Sequence, residues 1–197
     1  MAAYARCFYR CFGWSGGDSN NITTKLDQPR IALDTTKMGT DAVVVKNGKR
    51  ICGTGAAITN APIEQDKAYF EAKIQSTGIW GIGVARETTE LDRVPLGEDA
   101  DSWVLRHDGQ IRHLKKTHKE TNVKFAEGDV IGVSYDHVEM NFYLNGKNIG
   151  CPVLGVHCTI FPVIYVDESA IIDVEFEDFE HPPPSGFGQI LLERRIF

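Results

Sequence analysis

The chain has 197 residues, five cysteines and a formal net charge of −6. One domain with a core of ordinary size fits that length, no run approaches the roughly 20 apolar residues of a membrane-crossing helix, and an acidic balance without a basic stripe argues against nucleic acid as a partner. The odd, unevenly spaced cysteines do not form a disulfide framework pattern, and the first residues lack the apolar core of a secretory signal, so the expectation is a reduced, cytoplasmic protein.

Residues 1–28 differ in composition from the rest of the chain. Cys7 and Cys11 lie among Arg6, Arg10 and the aromatics Tyr4, Phe8, Tyr9, Phe12 and Trp14, ahead of the linker-like stretch Ser15 to Asn21. This composition suits reversible S-acylation and peripheral membrane attachment, because one acyl chain holds only marginally and two cysteines with flanking arginines hold better. The alternative is a tail with ordinary thiols, or one whose aromatics pack on the body.

The body, residues 29–180, is expected to be all-β. A first short strand is placed at Arg30 to Leu33, before a turn at Met38-Gly39-Thr40. Val43 to Val45 and Arg50 to Cys52 flank Asn47-Gly48, a hairpin signal because both turn residues tolerate positive φ. Phe70, Ala72 and Ile74 alternate with Tyr69, Glu71 and Lys73, which puts the first set in the core. Ile82 and Val84 alternate with Gly81, Gly83 and Ala85, small residues that let another layer approach. Trp103 to Leu105 leads through Asp108-Gly109 to Ile111, a further hairpin, with Trp103 expected as a core anchor.

The strongest signal runs from Gly128 to Lys147. Ile131, Val133 and Tyr135 share one face, Met140, Phe142 and Leu144 share another, and Asp136-His137 breaks the run. That pattern predicts an antiparallel pair buried on one side and ending at the turn Asn145-Gly146. Gly132, mid-strand, requires a close neighbour or a bend. Val163 to Val166 and Ile171 to Phe176 complete a sandwich of two antiparallel sheets. Residues 181–197 contain Pro182-Pro183-Pro184 and then Phe187, Ile190, Leu191, Leu192, Ile196 and Phe197; prolines bar this tail from a central strand, and its apolar residues imply that it packs on the sandwich.

Gly128-Asp-Val-Ile-Gly132 followed by Phe142-Tyr-Leu-Asn-Gly-Lys147 resembles the signature of the SPRY (B30.2-like) family. Tyr69-Phe70-Glu71, Gly81 to Ala85, Asp101-Ser102-Trp103 and Phe161-Pro162-Val163 stand in the family's order, over roughly Ile31 to Phe179. The resemblance implies a bent β-sandwich acting as a non-enzymatic protein-interaction module, with no cofactor, that binds a protein or peptide through loops at one end. By motif, one loop wall is Pro95, Leu96, Glu98, Asp99 and Asp101, and another is Asp167, Glu168 and Ser169. These loops hold five acids and no base, so the expected partner segment carries Arg or Lys, with Leu96 as an apolar contact. Lys46, Lys49 and Arg50, on a hairpin that would form a third wall, would make the site mixed in sign.

Candidate chemistry is thin. Asp173, Glu175 and Glu177 share one strand face, and a carbohydrate-active enzyme or lectin on a similar sandwich is the alternative. No tryptophan platform accompanies them, and a solvated acidic face beside a core-facing Val174 and Phe176 is favoured. Gly78, Gly81 and Gly83 lack the third glycine and following helix of a dinucleotide loop. His107, His113 and His118 match no zinc spacing, and Cys151 and Cys158 are best read as buried thiols, so no metal site is assigned. Ser134 and His137 have no oxyanion motif beside them, and no catalytic residue is assigned.

Overall fold

The computed structural model describes residues 30–192, and Cys7 and Cys11 lie outside that range. Along the chain the strands are β1 Leu33–Met38, β2 Ala42–Val45, β3 Arg50–Gly53, β4 Gly55–Thr59, β5 Ala68–Ser76, β6 Ile79–Ala85, β7 Ser102–Arg106 and β8 Gln110–His113. Then come β9 Lys116–Glu120, β10 Val130–Tyr135, β11 Glu139–Leu144, β12 Lys147–Asn148, β13 Val153–Leu154, β14 Phe161–Asp167 and β15 Ile171–Glu175. No helix long and apolar enough to cross a membrane occurs among the described residues.

The strands form two antiparallel sheets. One runs β1-β4-β14-β6-β7-β8-β9, the other β12-β11-β10-β5-β15-β3-β2, with β13 beside β11. The alternation explains how they stack. Phe70, Ala72 and Ile74 of β5, Ile131, Val133 and Tyr135 of β10 and Met140 and Phe142 of β11 meet Ile82, Val84, Trp103, Leu105, Ile164 and Val166 in one core between the sheets. The β10–β11 pair has the expected antiparallel register, Val133 opposite Phe142, and Asn145-Gly146 turns with φ of 48° and 75°. The first strand lies later than the sequence suggested: Arg30 to Ala32 precede it, and β1 fills the stretch up to the Met38-Gly39 turn. Its polar composition, Asp34-Thr35-Thr36-Lys37, hides it from a periodicity reading.

Part of each outward sheet face is covered too. Ala56, Ile58, Ala85, Val104, Phe161, Val163 and Tyr165, the opposite parity of the seven-stranded sheet, form a second cluster closed by Leu96, Leu91 and Val94 from the long β6–β7 connection. On the eight-stranded sheet, Tyr69 and Glu71 were expected to face away from the core, yet both are buried, Glu71 to 2% exposure. The C-terminal tail covers them. Glu71 accepts hydrogen bonds from the Glu180 amide (2.6 Å), the His181 amide (3.1 Å) and the Tyr69 hydroxyl (3.0 Å). Further on, the Tyr69 amide donates to Gly188 O, and Ile190 enters the main core. Each covered face has a tyrosine lying on a mid-strand glycine: a Cβ on Gly81 would sit 2.1 Å from the Tyr165 ring, and one on Gly132 would sit 2.2 Å from the Tyr69 hydroxyl.

Candidate functional site

Strand register decides which loops share an end of the sandwich. Ser102 pairs with Ala85 and Ala85 with Phe161, whereas Asp167, six residues along β14, pairs with Ile79. Asp101 and Asp167 therefore lie at opposite ends of β14, roughly 20 Å apart at about 3.3 Å per residue. The five acids expected to gather at one mouth do not gather. The β6–β7 connection leaves the Ser102 end, crosses the outer face of the seven-stranded sheet, and returns.

Within that connection the acids hold the segment in place. Glu98 accepts from Arg106 (2.6 Å) and Arg112 (2.9 Å), and Arg106 also donates to Leu96 O. Burial alone would push the Glu98 carboxyl up, but the two guanidinium hydrogen bonds outweigh it and hold it below the usual carboxylate range. Asp99 Oδ1 accepts from the Asp101 amide, the Ser102 amide and the Ser102 hydroxyl, each at 2.8 Å. Asp101 pairs with Arg86 at 3.1 Å. Pro95 is exposed. Leu96 is 1% exposed and its contacts are in the second core cluster, so it offers a partner no apolar surface. Its neighbours in sequence are charged or turn-forming, which is why it read as a loop-tip residue.

The Asp167 end is built from four segments. The Thr54 hydroxyl donates to Asp167 Oδ1 (3.0 Å), the Thr54 amide to Asp41 O (3.0 Å), the Thr40 amide to Asp92 Oδ1 (2.5 Å), and the Ala56 amide to Leu91 O (2.8 Å). Thus the β1–β2 turn, the β3–β4 corner, the Leu91-Asp92 part of the long connection and the β14–β15 loop meet there. Asp41, Asp92, Glu168 and Ser169 are exposed and Asp167 is half-buried. Asp41 comes with the β1–β2 turn, whereas Asp92 had no motif to mark it in the sequence and is brought here by the crossing of the long connection. Glu168 and Ser169 have φ of 46° and 68°, and the Ala170 amide donates to Asp167 O (3.0 Å), closing a two-residue turn in the left-handed region. Asn-Gly would fill such a turn without strain; Glu-Ser costs on the order of 1–2 kcal/mol per residue.

The basic hairpin residues go elsewhere. Arg50 forms a two-pronged pair with Asp173, Lys46 reaches the same carboxylate at 3.2 Å, and Lys49 pairs with Glu175 at 2.7 Å. Burial would raise the Asp173 carboxyl, but hydrogen bonds from Arg50 and Lys46 prevail and lower it. Glu177 faces Arg30 at 3.9 Å. The three acids of the β15 face are thereby matched to cations of this chain. Ser134 Oγ lies 3.2 Å from the Tyr143 hydroxyl, while His137 Nε2 contacts Gln65 O at 3.0 Å, so the two share no hydrogen bond. His113 stacks on Trp103 with ring centroids 4.3 Å apart, His107 edges onto Trp80, and no cluster with metal-holding geometry occurs among the described residues. Trp103 is buried, and Cys151 and Cys158 are half-buried against the core.

The SPRY domain family model matches residues 67–178. The chain belongs to the SPRY family. It is 52% identical to SPRY domain-containing protein 7 of Mus musculus, 52% to that of Gallus gallus and 51% to that of Homo sapiens, in each case over the whole of both chains. In the fold comparison, a stonustoxin structure overlays 74% of this chain and 27% of its own with a TM-score of 0.63 at 15% identity. At that identity the likeness concerns the fold alone.

Proposed function

We propose that this SPRY domain is a non-enzymatic protein-interaction module whose Asp167 end receives a partner segment carrying Arg or Lys. Membership of a domain family typically used for protein interaction supports the class. The observation that carries the site is the convergence of four chain segments at that end. Its exposed carboxylates, Asp41, Asp92 and Glu168 beside Asp167, have no lysine or arginine of the 46–50 hairpin turned toward them. Glu168 and Ser169 are kept in a strained turn that Asn-Gly would fill better, which is where binding residues accumulate. Each exposed charge pair contributes only ~0.2–1 kcal/mol; several together steer encounter and turn away acidic partners. Glu98, Asp99 and Asp101 serve this site indirectly, by holding the connection that delivers Leu91 and Asp92, and Pro95 lies on that same connection.

Proximity labelling with wild type and Asp167→Lys/Glu168→Lys identifies the partner, and titration at two salt concentrations tests the mode. The expected result is an affinity that falls with salt and with Asp167→Lys. A partner segment without basic residues, or an affinity indifferent to both changes, overturns the reading.

A further inference from the structure

The β8–β9 hairpin differs from the rest of this acidic chain. From Leu114 to Lys119 it reads Leu-Lys-Lys-Thr-His-Lys, three lysines with no acid, and every one of these residues is exposed. Lys37, Lys46, Lys49 and Lys73 each have a carboxylate partner; Lys67, Lys124 and Lys147 have none but stand singly, whereas Lys115, Lys116 and Lys119, also without a carboxylate within 4 Å among the described residues, stand together. The tip turn is a second strained one: Leu114 and Lys115 have φ of 54° and 58°. It is also held firmly, because the Leu114 amide donates to Asp99 O (2.8 Å) and the Lys115 amide to Gly97 O (3.2 Å). A leucine, 51% exposed, is therefore presented rigidly between a histidine and two lysines at the outer edge of the seven-stranded sheet.

We propose that this hairpin docks the protein on an anionic lipid surface, with Leu114 entering the headgroup layer and Lys115, Lys116 and Lys119 facing acidic headgroups. Shape favours a membrane over an extended acidic peptide. All five residues of β9 are exposed, so the hairpin is a protrusion and not a groove, and a protrusion meets a plane. The open edge of β9 is a poor template for an added strand, since lysines and the irregular register between Ile111 and Arg112 are features that discourage edge pairing. Arg30 adds a cation at the same Ser102 end of that sheet, its carbonyl accepting from Asn60 just beyond β4. The Asp167 end faces the other way, so docking here leaves the proposed partner site open.

The test is sedimentation of the full chain carrying Cys7→Ser and Cys11→Ser, so that no acyl anchor contributes. The probes are vesicles of phosphatidylcholine alone and vesicles with about one-quarter phosphatidylserine, a composition that supplies the negative surface potential. Each lysine near such a surface contributes about fivefold, so Lys115→Glu/Lys116→Glu/Lys119→Glu is expected to weaken binding on the order of a hundredfold or more. Leu114→Ser is expected to weaken it a few fold, and Lys147→Glu on β12 to leave it nearly unchanged, with unfolding midpoints intact in all. Three results overturn the proposal: wild type that ignores phosphatidylserine, a triple variant that binds as wild type does, or tighter binding to polyglutamate or single-stranded RNA than to the vesicles.

Discussion

The two sheets solve one problem, a buried outward face, with opposite chemistry. On the seven-stranded sheet the cover is apolar: Leu96, Leu91 and Val94 close over Ile58, Val104 and Tyr165. On the eight-stranded sheet the cover is polar: the tail is hung on Glu71, which accepts two of its amides and the Tyr69 hydroxyl. The tyrosines make the contrast sharp. Tyr69 donates to a carboxylate, while the buried Tyr165 hydroxyl finds no partner among the described residues, the nearby Arg106 being committed to Leu96 O and Glu98. The polar cover has an orphan of its own, His181 Nδ1, 3.6 Å from Glu71 Oε1, so the contrast lies in what holds each tyrosine and not in complete satisfaction.

The contrast breaks most decisively at the two covering contacts. Leu96→Ala is expected to lower stability by ~2–5 kcal/mol in urea unfolding, as cavity-forming truncations do. Glu71→Ala is expected to cost about 1–3 kcal/mol and to raise hydrogen exchange at the Glu180 and His181 amides, which Leu96→Ala leaves protected. A Leu96→Ala loss well below 1 kcal/mol would show that the β6–β7 connection is not an apolar plug.

The tyrosine pair sharpens the contrast with a single atom. Tyr69→Phe removes a buried hydrogen bond to a charged acceptor and is expected to cost about 1.5–3 kcal/mol. Tyr165→Phe removes a hydroxyl that has no partner and is expected to be neutral or slightly stabilising. Equal losses in the two variants would erase the distinction between the faces.

The smallest effect is acid sensitivity, to which each face contributes one carboxylate. Glu98 and Asp173 both have folded-state pKa values below their ordinary ones. Their contribution is therefore present above the unfolded carboxyl pKa of about 4 and disappears as pH falls through the folded values. Stability measured from pH 6 down to about 2 is expected to fall less steeply in Glu98→Gln and in Asp173→Asn than in wild type. An unchanged slope in both would remove these carboxylates from the acid limb.

What could be read beforehand was whatever depends on local alternation. The β10–β11 pair, the core parity of β5, β6 and the Val174–Phe176 stretch, and the Asn145-Gly146 turn are set by neighbours in sequence. Strand β9, Lys-Thr-His-Lys-Glu, has no apolar residue to alternate and went unseen. Leu96 was misjudged because it lies on a connection that crosses back over the sheet, and the Tyr69–Glu71 face because its cover comes from a tail some hundred residues on, as in the Glu180–Glu71 contact (|i−j| = 109). The acids of the first loop were legible as acids; that Arg86, Arg106 and Arg112 had already claimed Glu98 and Asp101, and the loop's own amides Asp99, was not. Nor does a connection's place in the chain tell which end it visits when it runs the length of a sheet.

The Glu71 clamp also bears on where this protein ends as an object that folds. The stretch matched by the family model stops at residue 178, two residues before the first amide that Glu71 holds, and starts at residue 67, after β1 to β4. A fragment cut at those borders would bare a buried carboxylate, uncover the Tyr69 ring and strip strands from both sheets. The heritable module and the cooperative folding unit are thus different lengths of chain. A change in the tail beyond residue 178 would be registered on β5, in the middle of the eight-stranded sheet, with no residue of that sheet altered.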